Sequence, residues 1–151
     1  MNLKLEDWTS LVSLGLSAMF VVILLSFYNF LIGPEGKGPD SVVDPGTLAL
    51  QEVFISGAPS VVLAGFVLGM ARTYGLKIGG TLLIASGVLM IAGMMAGIPL
   101  IARIPAQYVV GTVGYIPYFF MAAGIGVTVV GAYLIAASKR KRIRSDLDDL
   151  L

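Results

Sequence analysis

Hydrophobic positions fall into four long runs separated by short polar stretches, at about residues 8–32, 53–71, 78–102 and 117–138. Each run is close to the roughly 20 apolar residues that a helix needs to cross a hydrocarbon core about 30 Å thick. The pattern predicts an all-α integral membrane protein. The expected architecture is a four-transmembrane-helix bundle, a single membrane domain over 1–151 with a basic then acidic cytoplasmic tail at 139–151. The first apolar run, Leu11 to Ile32, exceeds the roughly 7–15 residues of a signal-peptide core, and no A-x-A site follows it. It reads as a retained span.

The polar breaks carry turn and cap signals. Trp8 stands where an interfacial anchor is expected, and Thr9 or Ser10 can cap the first helix. Phe27, Tyr28 and Phe30 predict an aromatic belt at its far end. Gly33 to Glu52 is the one sizeable loop, an outer Pro/Gly-rich segment between helices 1 and 2. Within it Asp44-Pro45 reads as an N-cap followed by Pro at the first helical position, so TLALQEVF continues as an interfacial helix into span two. Arg72 to Lys77 predicts a tight turn that makes spans two and three an antiparallel hairpin. Ala106 to Ile116 is apolar but broken by Gly111, Gly114 and then Pro117. An interfacial or partly re-entrant approach is expected there, with the crossing starting near Pro117. One long kinked helix is the competing reading.

Composition agrees with this pattern: 57% of residues are hydrophobic and 13% charged, against about 25% charged in soluble proteins. Charge placement adds orientation. Span four ends in KRKRIR, which puts Lys139, Arg140, Lys141, Arg142 and Arg144 beside the bilayer. Such a cluster stays cytoplasmic and attracts anionic headgroups. With four spans, Lys4, Arg72 and Lys77 fall on the same side, leaving Lys37 and Arg103 outside. A multi-pass cell-membrane protein with both termini cytoplasmic is expected. The loop carries Glu35, Asp40, Asp44 and Glu52 against Lys37 and reads as an ordinary solvated loop.

Candidate chemistry is sparse. The chain has no Cys and no His, which removes thiolate and imidazole ligands, Cys nucleophiles and His acid–base groups. No Asp, Glu, Lys or Arg lies inside a predicted crossing. The small multidrug resistance family is similar in outline but depends on a glutamate in its first span. Here that span offers only Ser13, Ser17, Ser26 and Asn29. Met90, Met94 and Met95 read as core filling rather than a copper site. Gln107, Tyr108, Tyr115 and Tyr118 read as interfacial anchors. There is no phosphate loop, no Ser/His/Asp set and no nucleic-acid-reading element. No catalytic, cofactor or metal residue is assigned, and the chain is not expected to be an enzyme on its own.

Small residues recur at helical spacing: Gly65 and Gly69, Gly93 and Gly97, and Gly124, Thr128, Ala132 and Ala136. Such ridges let backbones approach where van der Waals packing drives helix association. They are assigned as packing faces, toward other spans or other subunits. In length, hydropathy, polar N-terminus and basic–acidic C-terminus the chain resembles the accessory, non-copper subunits of archaeal ammonia monooxygenase. The resemblance implies that copper ligands and oxidation chemistry lie on partner subunits, and it assigns no residue here. The expected role is a non-catalytic structural subunit of a multi-subunit integral membrane complex. The alternative is a small homo-oligomeric channel or transporter for a neutral solute, with Pro59, Pro99 and Pro117 marking broken helices.

Overall fold

The computed structural model describes residues 4–72 and 76–148, except the side chains of 141, 142 and 144–148. Every regular element among the described residues is helical. The main ones are α1 (Leu5–Ile32), α2 (Pro45–Glu52), α3 (Ala58–Ala71), α4 (Ile78–Ile101) and α5 (Gly111–Asp148). α2 and α3 join through a π-helical turn, Val53–Gly57, into one rod. Four rods are long and apolar enough to cross a membrane: Leu5–Ile32, Pro45–Ala71, Ile78–Ile101 and Gly111–Arg140.

Local chemistry accounts for the boundaries. The second rod starts at Pro45 because Asp44 caps it: its carboxylate accepts from Gly46 N at 3.1 Å and Thr47 N at 3.4 Å. Pro45 then occupies the first turn, where its missing N–H costs nothing. The π turn has a cause two residues further on. A regular α-helix would press the Pro59 ring against the Ile55 carbonyl. Here the Ala58 N–H reaches back five residues to the Val53 carbonyl, and the wider turn makes room. The fourth rod begins at Gly111, not near Pro117. Ala106–Tyr108 is a single 3₁₀ turn after Pro105, and Val109 and Val110 lead directly into the helix. Pro117 is tolerated inside it, so the long-helix reading replaces the re-entrant one.

The rods are arranged as a square in which α1 touches α3 and α4, and α5 touches α4 and α3. The contact between α4 and α5 is the most extensive. α3 and α4 stand on a diagonal with few mutual contacts, so they are antiparallel but not packed as a pair, and residues 73–75 of the expected turn between them lie outside the described set. Leu76, just before α4, is tied to α5 by a hydrogen bond from its N–H to the Leu134 carbonyl, 3.2 Å. The start of α1, the end of α3, the start of α4 and the late part of α5 share one end of the bundle. That end holds Lys4, Arg72, Lys77, Lys139 and Arg140; Lys37 and Arg103 lie at the other.

Buried positions advance in alternating steps of three and four. In α1 they include Ser10, Ser13, Ser17, Phe20, Leu24, Phe27 and Leu31. In α5 they include Val113, Pro117, Phe120, Gly124, Val127, Gly131 and Leu134. A mean repeat near 3.5 is the pattern of knobs-into-holes packing with gently supercoiled helices. Phe20, Leu24, Tyr28, Met90, Met94 and Phe120 fill the half near the loop. Ala64, Val67, Leu83, Val127 and Leu134 fill the basic half.

Candidate functional site

The small-residue faces divide into contacts made within the chain and faces left open. Gly124 lies on α4: a Cβ there would stand 2.9 Å from the Gly87 carbonyl. Thr128 closes over the same spot, its hydroxyl donating to the Gly124 carbonyl at 2.9 Å. Gly93 is pressed against Val21 of α1, and Gly97 faces Tyr28. By contrast nothing lies within 4 Å of where a Cβ would stand on Gly65 or Gly69. Ala132 and Ala136 are exposed. Gly65, Leu68 and Gly69 of α3, with Val129, Val130 and Tyr133 of α5, line an apolar groove of about 500 Å³ that Arg72 borders.

Close backbone approaches also involve glycines outside those ridges. A Cβ on Gly131 would stand 2.5 Å from the Gly80 carbonyl, and one on Gly87 would collide with the Gly124 carbonyl. Gly80 and Gly87 on α4 therefore meet Gly124 and Gly131 on α5, each pair seven residues apart. A spacing of seven keeps residues on one face, drifting about 20°. Steps of four drift about 40° each, so Ala136, three steps beyond Gly124, has turned about 120° away.

Between α1, α3 and α4 the core is polar. Ser13, Ser17, Ser60 and Ser86 are fully buried. The Ser17 hydroxyl lies 2.5 Å from those of both Ser60 and Ser86. The Ser60 hydroxyl donates to the Ser13 carbonyl at 3.2 Å, and the Ser13 hydroxyl to the Ser60 carbonyl at 2.9 Å. One assignment uses every proton: Ser86 donates to Ser17, Ser17 to Ser60, Ser60 to the Ser13 carbonyl. The seam is thus satisfied internally, as a buried polar group in lipid must be. At the basic end Asp7, also buried, accepts from Gly79 N at 2.8 Å, capping α4 from a different helix.

The aromatics near the loop are mostly structural. Phe27 and Tyr28 are buried, and only Phe30 of the expected belt faces outward. Tyr28 donates its hydroxyl proton to the Val113 carbonyl at 2.9 Å. That carbonyl lies four residues before Pro117, which has no N–H to give it. Met90 and Met94 are core residues, whereas Met95 is exposed. Tyr115 and Tyr118 face outward and Gln107 is exposed, whereas Tyr108 packs on Gly38.

Glu52 is the residue that sequence reasoning placed in a solvated loop. It lies inside the second rod, one residue before the π turn. Its Oε2 is enclosed and has no hydrogen-bond partner. Glu52 also borders a groove of about 440 Å³ lined by Val22, Ile23, Ser26, Phe27 and Phe30 of α1. The clue in the sequence was the Asp44-Pro45 cap, which starts a helix and carries Glu52 into it.

Lys139 and Arg140 are exposed on α5, which continues as a helix through KRKRIR to Asp148. The side chains of Lys141, Arg142 and Arg144 are outside the described set, as is the end of the acidic tail, 149–151. Comparison with protein-family models, curated proteins and solved structures finds no match to this chain.

Proposed function

We propose that the chain is a non-catalytic structural subunit of a multi-subunit integral membrane complex, of the kind that sits beside the catalytic subunits of a membrane monooxygenase. The rods cross the cell membrane with both termini cytoplasmic. KRKRIR rests among anionic headgroups and fixes the depth of α5. The observation that carries this reading is the Gly65/Gly69 face. It is a small-residue helix face with no occupant among the described residues. The interior supports the same reading, because its buried serines are satisfied among themselves. A helix of a partner subunit fills the groove between α3 and α5.

The test is purification of the native assembly in mild detergent, with Gly65→Leu and Gly69→Leu compared with the unmodified chain. Loss of a stoichiometric partner from the variants, at unchanged thermal stability of the isolated chain, is expected. A stable monomer with no partner, or variants that keep the partner fully, would overturn the reading.

A further inference from the structure

Glu52 poses a separate problem. An ionised carboxylate at the edge of a hydrocarbon layer is costly unless something pairs with it. Its Oε2 has no partner. Two neighbouring donors are already engaged: Tyr28 gives its proton to the Val113 carbonyl, and Ser56 donates to Glu52's own backbone carbonyl at 3.0 Å, which leaves the uncharged Ser26 hydroxyl in the groove. Lys37, the cation of the loop, is bound to Glu35. Among the described residues no cation pairs with Glu52, so its carboxylate is open to a charged partner.

Depth and lining say what it is. Arg72 marks one end of the second rod, and roughly 30 Å of hydrocarbon takes about 20 residues at 1.5 Å each. Counting back from Arg72 reaches Glu52, which places its carboxylate at the opposite hydrocarbon boundary. Headgroups, not acyl tails or bulk water, occupy that level. The groove offers apolar surface from Val22 and Ile23, the Ser26 hydroxyl, and the ring of Phe30, half-exposed and able to receive a cation. Asp40 and Asp44 at the same end outnumber Arg103, Glu35 being paired with Lys37, and leave the end net negative. One carboxylate and one hydroxyl are too few oxygens for a hard divalent metal, which takes six or more. They suit an ammonium group with three donors.

We propose that Glu52 and this groove bind the primary ammonium headgroup of a phospholipid in the outer leaflet. The inference rests on the membrane-crossing placement given above, but not on the chain's having partner subunits. The ammonium donates to the carboxylate, the Phe30 face flanks it, and the first methylenes of the chain lie on Val22 and Ile23.

The experiment uses the full chain in nanodiscs of phosphatidylethanolamine and phosphatidylglycerol in equal amounts, released into detergent for native mass spectrometry. Preferential retention of phosphatidylethanolamine, by about tenfold, is expected for the unmodified chain, with no preference for Glu52→Gln. Displacement by dodecylamine would show that a free alkylammonium reaches the same site through the same chemistry. Equal retention of both lipids, or an unchanged preference in Glu52→Gln, would overturn the proposal. A second measurement needs no variant: labelling of Glu52 by a hydrophobic carbodiimide should slow several-fold in phosphatidylethanolamine relative to phosphatidylglycerol vesicles. Equal rates would overturn it too. Failure of the α3–α5 groove to hold a partner would leave both measurements untouched.

Discussion

Pro117 and Tyr28 are 89 residues apart in sequence and form one hydrogen-bonding unit. The proline withholds an N–H from the Val113 carbonyl, and the tyrosine hydroxyl supplies the missing donor. Tyr28→Phe should therefore lower stability by about 1–3 kcal/mol, the usual cost of an unsatisfied buried acceptor. The pairing makes a sharper prediction. In a Pro117→Ala background residue 117 regains its N–H, so the Tyr28→Phe penalty should shrink to a few tenths of that. A double-mutant cycle on detergent unfolding measures the coupling, and additive penalties would mean that the two are unrelated. Asp7 offers a parallel case. Its two oxygens accept from Gly79 N and from Lys4 N, at 2.8 and 3.2 Å. Asp7→Ala should cost about 1–3 kcal/mol, and Asp7→Asn less because one carbonyl oxygen remains. Equal losses would show that the cap is not what Asp7 provides.

At the scale of elements, α4 is the helix on which both α1 and α5 pack. Its paired small positions, Gly79-Gly80 and Ser86-Gly87, turn one residue to α1 and the next to α5. Gly87→Leu or Gly124→Leu should separate α4 from α5 and cost about 1–3 kcal/mol or more. Gly65→Leu should leave the thermal midpoint of the isolated chain within a degree or two, because its face is open. The four rods were legible in the sequence because hydropathy and length alone define them. The packing faces were only partly so. A search at steps of four finds Gly124, which meets Gly87 across the interface, but it carries Ala132 and Ala136 onto an exposed face. It also passes over Gly80, Gly87 and Gly131, whose spacing of seven matches the repeat of the bundle. Glu52 was missed for a different reason. The Asp44-Pro45 cap and the helix through TLALQEVF were legible, but Glu52 was counted with the polar loop rather than with the helix that carries it. The Thr47 hydroxyl, and then the backbone N–H groups of Thr47 and Gly46, hold the Asp44 carboxyl below its usual value of 3.8. Folding lowers its pKa, so the cap contributes fully above that value and is lost as pH falls through the lower, folded one. Amide protection at Gly46 and Thr47, corrected for intrinsic exchange, should hold at pH 5 and fall only below about 3.8. In Asp44→Ala it should be weak at both.

For the whole molecule, the arrangement of the rods makes orientation a single question. The start of α1 and the late part of α5 lie at the same end, since Gly79 meets Asp7 and Gly80 meets Gly131. Whichever compartment receives Lys4 also receives Arg72, Lys77, Lys139 and Arg140. Separating these cations across a bilayer would require breaking the α4–α5 contact, the largest in the bundle. Exporting all of them together would oppose the bias that holds Lys and Arg on the cytoplasmic side. The chain has no native cysteine, so single reporters can be introduced without removing a background. Ser41→Cys, in the exposed loop, should react with an impermeant maleimide in intact cells. Lys139→Cys, at the opposite end, should react only after the membrane is opened. Labelling of both in intact cells would place the two ends in one compartment and rule out an odd number of crossings between them. The reverse pattern would invert the bundle, move the KRKRIR helix outside and put Glu52 at the inner leaflet. The headgroup preference measured for Glu52 would then concern the cytoplasmic leaflet, so the topology experiment decides which leaflet the groove samples.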